Sequence, residues 1–159
     1  MPKVLFIQPS QYLSTGEIVK QKKLYLPGLV FPLLAAMLPE NWKAEVSLEV
    51  IDEINFNSDA DIIGIGAMGH SIFRAFDIAG EFRKRGKIVF MGGYMASMIP
   101  EIALEHADSV VIGDAEISLL KLLSDFEMHG SIDRIYNNPV HDLSDLPVPR
   151  YELLTSKKI

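Results

Sequence analysis

The sequence contains no cysteine. That absence excludes disulfides, thiolate metal sites, an iron–sulfur cluster held by this chain and a cysteine nucleophile. It also fits a cytoplasmic protein, because disulfides are rare in that compartment. Long apolar runs are missing too. None approaches the ~18 residues of a membrane span, and the run at 4–7 is too short for a signal peptide. Positive charge is sparse: 15 Lys and Arg stand against 21 Asp and Glu, a net charge of −6. The basic clusters at 20–23 and 83–87 read as solvated surface. Nucleic acid is therefore not expected as a partner, since phosphate binding needs a concentrated positive face. The four histidines lack the paired spacing of a metal site.

What remains is ordinary globular material, 48% hydrophobic and 23% charged over 159 residues. That length fits one domain with a core large enough to need no staple. Apolar runs of strand length alternate with helical periods. KVLFIQ at 3–8, stopped by Pro9, reads as a buried strand. A polar connection fills 10–27, and 29–38 reads as a helix with Pro32 in its first turn. Residues 44–53 alternate and predict a strand near a sheet edge. DIIGIGAM at 61–68 predicts a central parallel strand. After it, Ile72, Phe73, Phe76, Ala79 and Phe82 form the apolar stripe of a helix ended by Gly86, with Arg74 facing outward. Strands are expected at 87–91 and 108–112, helices near 100–106 and over 115–127, and a short edge strand at 134–136. From 138 to 150 three prolines break every period, which predicts an extended linker.

Strands alternating with helices give right-handed crossovers and a parallel sheet covered on both faces. Ligands of such sheets lie outside the carboxyl ends of the strands. Three glycine-rich loops fall there, at 64–70, 92–95 and 113–116. Glycines there either admit a ligand close to the backbone or merely make tight turns.

These residues carry a family resemblance. KVLFIQPS, LPGLVFPLLAAMLPE, DIIGIGAMGHSIFRAFDIAGEFRKRG and VFMGGYMASMIPEIALEHADSVVIGDAEISLLKLL together look like the N-terminal cobalamin (B12)-binding-type domain of B12-dependent radical SAM proteins. DLSDLPVPRYELL resembles the linker that leads such proteins into their radical SAM barrel. The GGYMAS…PE…VIGDAE series is the most specific part, and the subgroup with the anaerobic magnesium-protoporphyrin IX monomethyl ester cyclases is the one it suggests. The resemblance implies a flavodoxin-like, Rossmann-like α/β fold: a three-layer open parallel sheet of about five strands with helices on both faces. It implies a domain at 1–137 and a linker at 138–159, with the corrin across the strand ends. Carried over by position, the cobalamin-facing residues are Pro9, Ser10 and Gln11, then Met68, Gly69, His70 and Ser71. Gly92, Gly93, Tyr94 and Met95 follow, and then Gly113, Asp114 and Glu116.

Two departures accompany the likeness. The D-x-H-x-x-G cobalt-ligand signature is replaced by Pro9-Ser10-Gln11-Tyr12-Leu13-Ser14, so no histidine is offered below the cobalt there. The C-x-x-x-C-x-x-C motif is absent, so a 4Fe-4S cluster and S-adenosylmethionine belong only to a downstream radical SAM domain. The chain thus holds no complete active site and reads as a fragment of such an enzyme. A competing expectation is a domain that keeps the fold for interaction or substrate recognition without cobalamin. A flavodoxin-type carrier is a third. Its phosphate loop is similar to Ser14-Thr15-Gly16-Glu17, but that loop must run straight into a helix, and Pro27 intervenes. A receiver domain is disfavoured by Pro9-Ser10 and Met68 where its acidic residues should stand. Among single residues, Ser71 reads as a helix cap, and Asp114 and Glu116 as ligand contacts or helix-dipole partners. Met68, Met91, Met95 and Met98 read as core or pocket lining, and Trp42 as a packing anchor. His106, His129 and His141 read as structural or solvated.

Overall fold

Six strands run in one direction in the computed structural model, which describes residues 1–140 and 142–154. They are β1 (Lys3–Gln8), β2 (Lys43–Leu48), β3 (Ile62–Gly66), β4 (Ile88–Gly92), β5 (Ser109–Val111) and β6 (Ile135–Tyr136). The spatial order is β2-β1-β3-β4-β5-β6. This is a Rossmann-like α/β sheet in the flavodoxin-like order, extended by the two-residue β6 at its edge. The alternating 44–53 stretch does end at the opposite edge, as β2, but its strand stops at Leu48 and turns at 49–52.

Side-chain alternation divides the core into two layers. Leu5, Ile7, Ile63, Ile65, Val89 and Met91 face one way and pack with Ile78 and Phe82. Val4, Phe6, Ile62, Phe90 and Val111 face the other way and pack with Phe31, Leu34 and Leu119. A helix stripe covers each layer because a parallel sheet must be buried on both sides. On the first side lie α2 (Ser71–Lys84), α3 (Tyr94–Met98) and α4 (Pro100–His106). On the second lie α1 (Val30–Ala36) and α5 (Glu116–His129).

Three details depart from the sequence expectation. Phe73 is 60% exposed. The buried face of α2 runs through Ile72, Ala75, Ile78, Ala79 and Phe82, and Phe73 falls one position off that 3–4 spacing. Phe76 is half-buried and stacks on the His106 ring, with centroids 4.0 Å apart. Second, Tyr94 and Met95 do not belong to a loop. They open α3, whose Ala96 is fully buried. Third, the linker segment docks at its far part. Residues 138–140 and 142–150 form no regular element. The Arg150 N–H then donates to the Pro32 carbonyl at 2.9 Å, and the short 3-10 helix Tyr151–Leu154 buries Leu154 in the second layer. His141 and residues 155–159 of the expected linker lie outside the described residues. Among those residues, no helix is long and apolar enough to cross a membrane, and no group of His, Asp and Glu could hold a metal ion.

Candidate functional site

The strand order reverses between β1 and β3: the chain leaves β1 toward β2 on one side and continues from β3 toward β6 on the other. At such a reversal the connections diverge and leave a crevice beyond the strand ends. A cleft of about 480 Å³ opens there. Its floor is the carboxyl end of β1, β2 and β3, represented by Gln8, Leu48 and Gly66.

Seven of the anticipated residues line this cleft. Pro9, Ser10 and Gln11 follow β1, Met68 and Ser71 bracket the turn after β3, and Gly93 and Tyr94 follow β4. Gly69 and His70 are exposed in the turn between Met68 and Ser71 without being part of the lining. Gly92 closes β4, and Met95 packs against the first layer. Gly113, Asp114 and Glu116 stand beyond β5, outside the lining. One carboxylate oxygen of Glu116 is shielded without a hydrogen-bond partner among the described residues. Ser71 does not cap its helix. It is the first helical residue, and its hydroxyl donates to the Met68 carbonyl at 2.8 Å and accepts the Met68 N–H at 3.0 Å.

The other wall was not anticipated. Val19, Gln21 and Leu24 come from the polar connection, Gly28 from just after it, Val30, Phe31 and Pro32 from the start of α1, and Leu154 from the docked segment. A long connection in a compact domain is the one sequence signal that could have pointed there. Residues 11–19 fold back as a small hairpin, with the Val19 N–H on the Gln11 carbonyl at 2.8 Å and a bridge between Tyr12 and Ile18. Ser14-Thr15-Gly16-Glu17 is therefore an exposed hairpin tip, far in sequence from the helix that begins at Val30.

A buried carboxylate anchors that hairpin. Glu49 is 2% exposed at the end of β2. It accepts the Ser10 N–H at 2.9 Å and two bonds from Arg74, at 2.9 Å from Nε and 2.7 Å from Nη2. Arg74 also donates to the Tyr12 hydroxyl at 3.2 Å, and Tyr12 donates to Asp77. Arg74 is thus turned inward, not outward. Burial works against its charge, but the bonds to Glu49 and Tyr12 outweigh it and hold its pKa above the ordinary arginine value. Lys20 closes the far end of the hairpin, with Nζ on the carbonyls of Glu49 at 2.7 Å and Asp52 at 2.5 Å.

The glycines of β3 face aromatic rings. A Cβ on Gly64 would lie 2.5 Å from Phe90 Cζ, and one on Gly66 would lie 2.9 Å from Phe31 Cζ. Phe31 in turn stacks on Phe6, with centroids 5.5 Å apart. These two glycines make room for side chains of the second layer. On the β4 side, the Ser97 hydroxyl donates to the Gly93 carbonyl and accepts the Gly113 N–H, both at 2.9 Å, so the turns after β4 and β5 are tied together.

No protein-family model matches the chain. It is 46% identical over 74 residues to the bacteriochlorophyllide d C-8(2)-methyltransferase of Chlorobaculum tepidum, across 46% of this chain and 16% of that protein. It is 26% identical over 137 residues to an uncharacterized methyltransferase of Synechocystis sp., across 84% of this chain and 25% of that protein. The matched stretches thus span a quarter or less of these relatives. A solved N-terminal domain of a hypothetical Thermotoga maritima protein aligns with a TM-score of 0.45 at 21% identity, covering 55% of this chain and 74% of that one. The homologues of this chain are methyltransferases.

Proposed function

We propose that the chain is a cobalamin-binding module of a B12-dependent radical SAM enzyme, with the corrin lying over the cleft between the β1, β3 and β4 ends. The observation that carries this reading is the lining itself. Its described residues, gathered from the strand ends at the topological switch point, the 19–32 stretch and Leu154, include no charged side chain. A corrin is a broad, mostly apolar disc fringed with amides. It needs an apolar floor, a few neutral polar groups at the rim and small residues for close approach. Phe31, Leu48 and Val50 provide the floor, Ser10, Gln11 and Ser71 the polar groups, and Gly28 and Gly93 the clearance. The residues that would hold the corrin narrow to Pro9, Ser10, Gln11, Met68, Ser71, Gly93 and Tyr94. Among the described residues no histidine lines the cleft, so these offer no imidazole to the cobalt there.

When bound, the cofactor supplies a cobalt centre able to carry a methyl group, in keeping with the methyltransferase relatives. The chain's own part is to seat the ring and exclude water from its lower face. Residues 1–137 form the module in this proposal, with Tyr151–Leu154 docked onto it and completing the cleft, and the segment from 138 is the linker toward the domain that binds the 4Fe-4S cluster and S-adenosylmethionine. The relatives favour methyl transfer for the whole enzyme over the cyclase chemistry of the subgroup named above.

A second reading has a specific observation behind it. The space over Gly64 and Gly66 is filled by Phe90 and Phe31, so the sheet side offers no ready slot for a nucleotide tail. That favours a domain that keeps the fold without the cofactor. Incubation with hydroxocobalamin, desalting and an absorbance spectrum decide between them, with FMN in parallel. The proposal expects corrin bands to travel with the protein and flavin bands not to. Protein that emerges colourless from hydroxocobalamin overturns it.

A further inference from the structure

Among the described residues, the cleft carries three glutamine side chains and no charge. Gln8 ends β1, Gln11 follows it, and Gln21 lies on the return from the hairpin. None of the three carboxamides makes a hydrogen bond among the described residues, and all three residues are exposed. Gln8 Oε1 lies beside Gly28, at the 3.8 Å distance of an ordinary contact from where a Cβ would stand. The cations behind the wall are already engaged. Arg74 is spent on Glu49 and Tyr12, and Lys20 on the Glu49 and Asp52 carbonyls and the Glu53 carboxylate. Lys22 and Lys23, between Gln21 and Leu24, are exposed and not part of the lining.

We infer that Gln8, Gln11 and Gln21 are specificity-determining residues that select a macrocycle fringed with carboxamides over one fringed with carboxylates. This rests on the reading that the cleft seats a corrin. A carboxamide both donates and accepts, so two primary amides pair through two reciprocal N–H···O bonds and keep one N–H and one lone pair each for water at the open rim. A carboxylate only accepts. Against glutamine it finds the NH₂ group, but it must leave water without a cation to compensate, and desolvating an unpaired charge is costly. The cleft thus separates an amidated cofactor from tetrapyrroles that carry free acid side chains.

The test uses two dicyano corrins with the same ring: cobinamide, whose rim carries six primary carboxamides and one aminopropanol amide, and the heptacarboxylate cobyrinic acid. Affinities are read by calorimetry in low salt and again at ~0.5 M salt, where long-range repulsion from the net negative protein is screened. The amide form should bind at least about tenfold more tightly at both salt concentrations. In Gln11→Lys and Gln21→Lys the ratio should shrink or reverse, with melting temperatures held near that of the parent because both side chains are exposed. Equal affinities, a preference that vanishes at high salt, or a ratio untouched by the lysine variants overturns the inference while the cofactor reading stands. Failure of the parent protein to bind either corrin overturns both.

Discussion

At position 93 the backbone takes φ 91° and ψ 179°, a region essentially restricted to glycine. A Cβ there would also lie 3.0 Å from the Ala67 carbonyl oxygen, and that neighbour is backbone and cannot swing away. Gly93→Ala should therefore destabilise the protein by about 1–3 kcal/mol with no ligand present, read as a lower urea midpoint at unchanged slope. An alanine variant as stable as the parent would show that the turn relaxes freely. A bulky residue at 93 consequently reports on the fold before it reports on a ligand. Arg74 teaches a related lesson. From the sequence it is one more polar residue on the outer side of a helix, and Glu49 is one more residue in an alternating strand. Their pairing exists only because the end of β2 and the start of α2 meet across the hairpin at 11–19. No local period encodes a partner 25 residues away.

Most elements were legible, the short β5, β6 and α4 among them, but α3 and the Tyr151–Leu154 turn were not. β1, β3, β4 and α2 announce themselves because each fills a buried layer with consecutive or regularly spaced apolar side chains. α3 has five residues, too few for a helical period, and follows two glycines that read as a loop. The Tyr151–Leu154 turn was hidden for another reason: prolines before it signal a linker, while what fixes it is Leu154 reaching the second layer beside α1. Leu154 is 2% exposed and also lines the cleft. Leu154→Ala should cost about 2–3 kcal/mol, the low end for a buried leucine because the void opens to an existing cleft. Thermal unfolding of the variant measures this. A shift no larger than that of an exposed substitution such as Val148→Ala would mean that the segment contributes nothing to the fold.

For the molecule as a whole, the three-layer sheet could be read from the order of its runs, whereas the cleft could not. Its walls are gathered from 8–11, 19–32, 48–50, 66–71, 93–94 and 154, and only the strand-end portions carry a sequence signal. The far edge of the sheet gives the molecule a pH response. Tyr136 is buried on β6, and its hydroxyl accepts the Asp133 N–H at 2.9 Å and donates to Asp125 at 2.8 Å. Burial first, and the Asp125 carboxylate with it, push its pKa up to about 12 from the ordinary 10. The neutral phenol is the form the fold favours. Its contribution is complete below pH 10 and is lost as the pH rises from 10 toward 12, because the unfolded chain releases that proton first. Stability measured across that interval should fall in the parent and fall less steeply in Tyr136→Phe. Identical slopes would place the alkaline loss elsewhere.

The position of β1 has one further consequence. It is the first strand in the chain but stands inside the sheet, paired with β2 from Lys3↔Lys43 and with β3 from Val4↔Ile62. During synthesis, then, its most apolar stretch, Val4–Ile7, has no neighbour on one edge until the residues near 43 emerge. The other edge stays bare until those near 62 do. An uncovered apolar strand edge is a template for pairing with another chain, and non-local parallel pairing is slow to form. The same topology that opens a cleft at the β1–β3 reversal therefore leaves β1 in need of protection until β3 has been made.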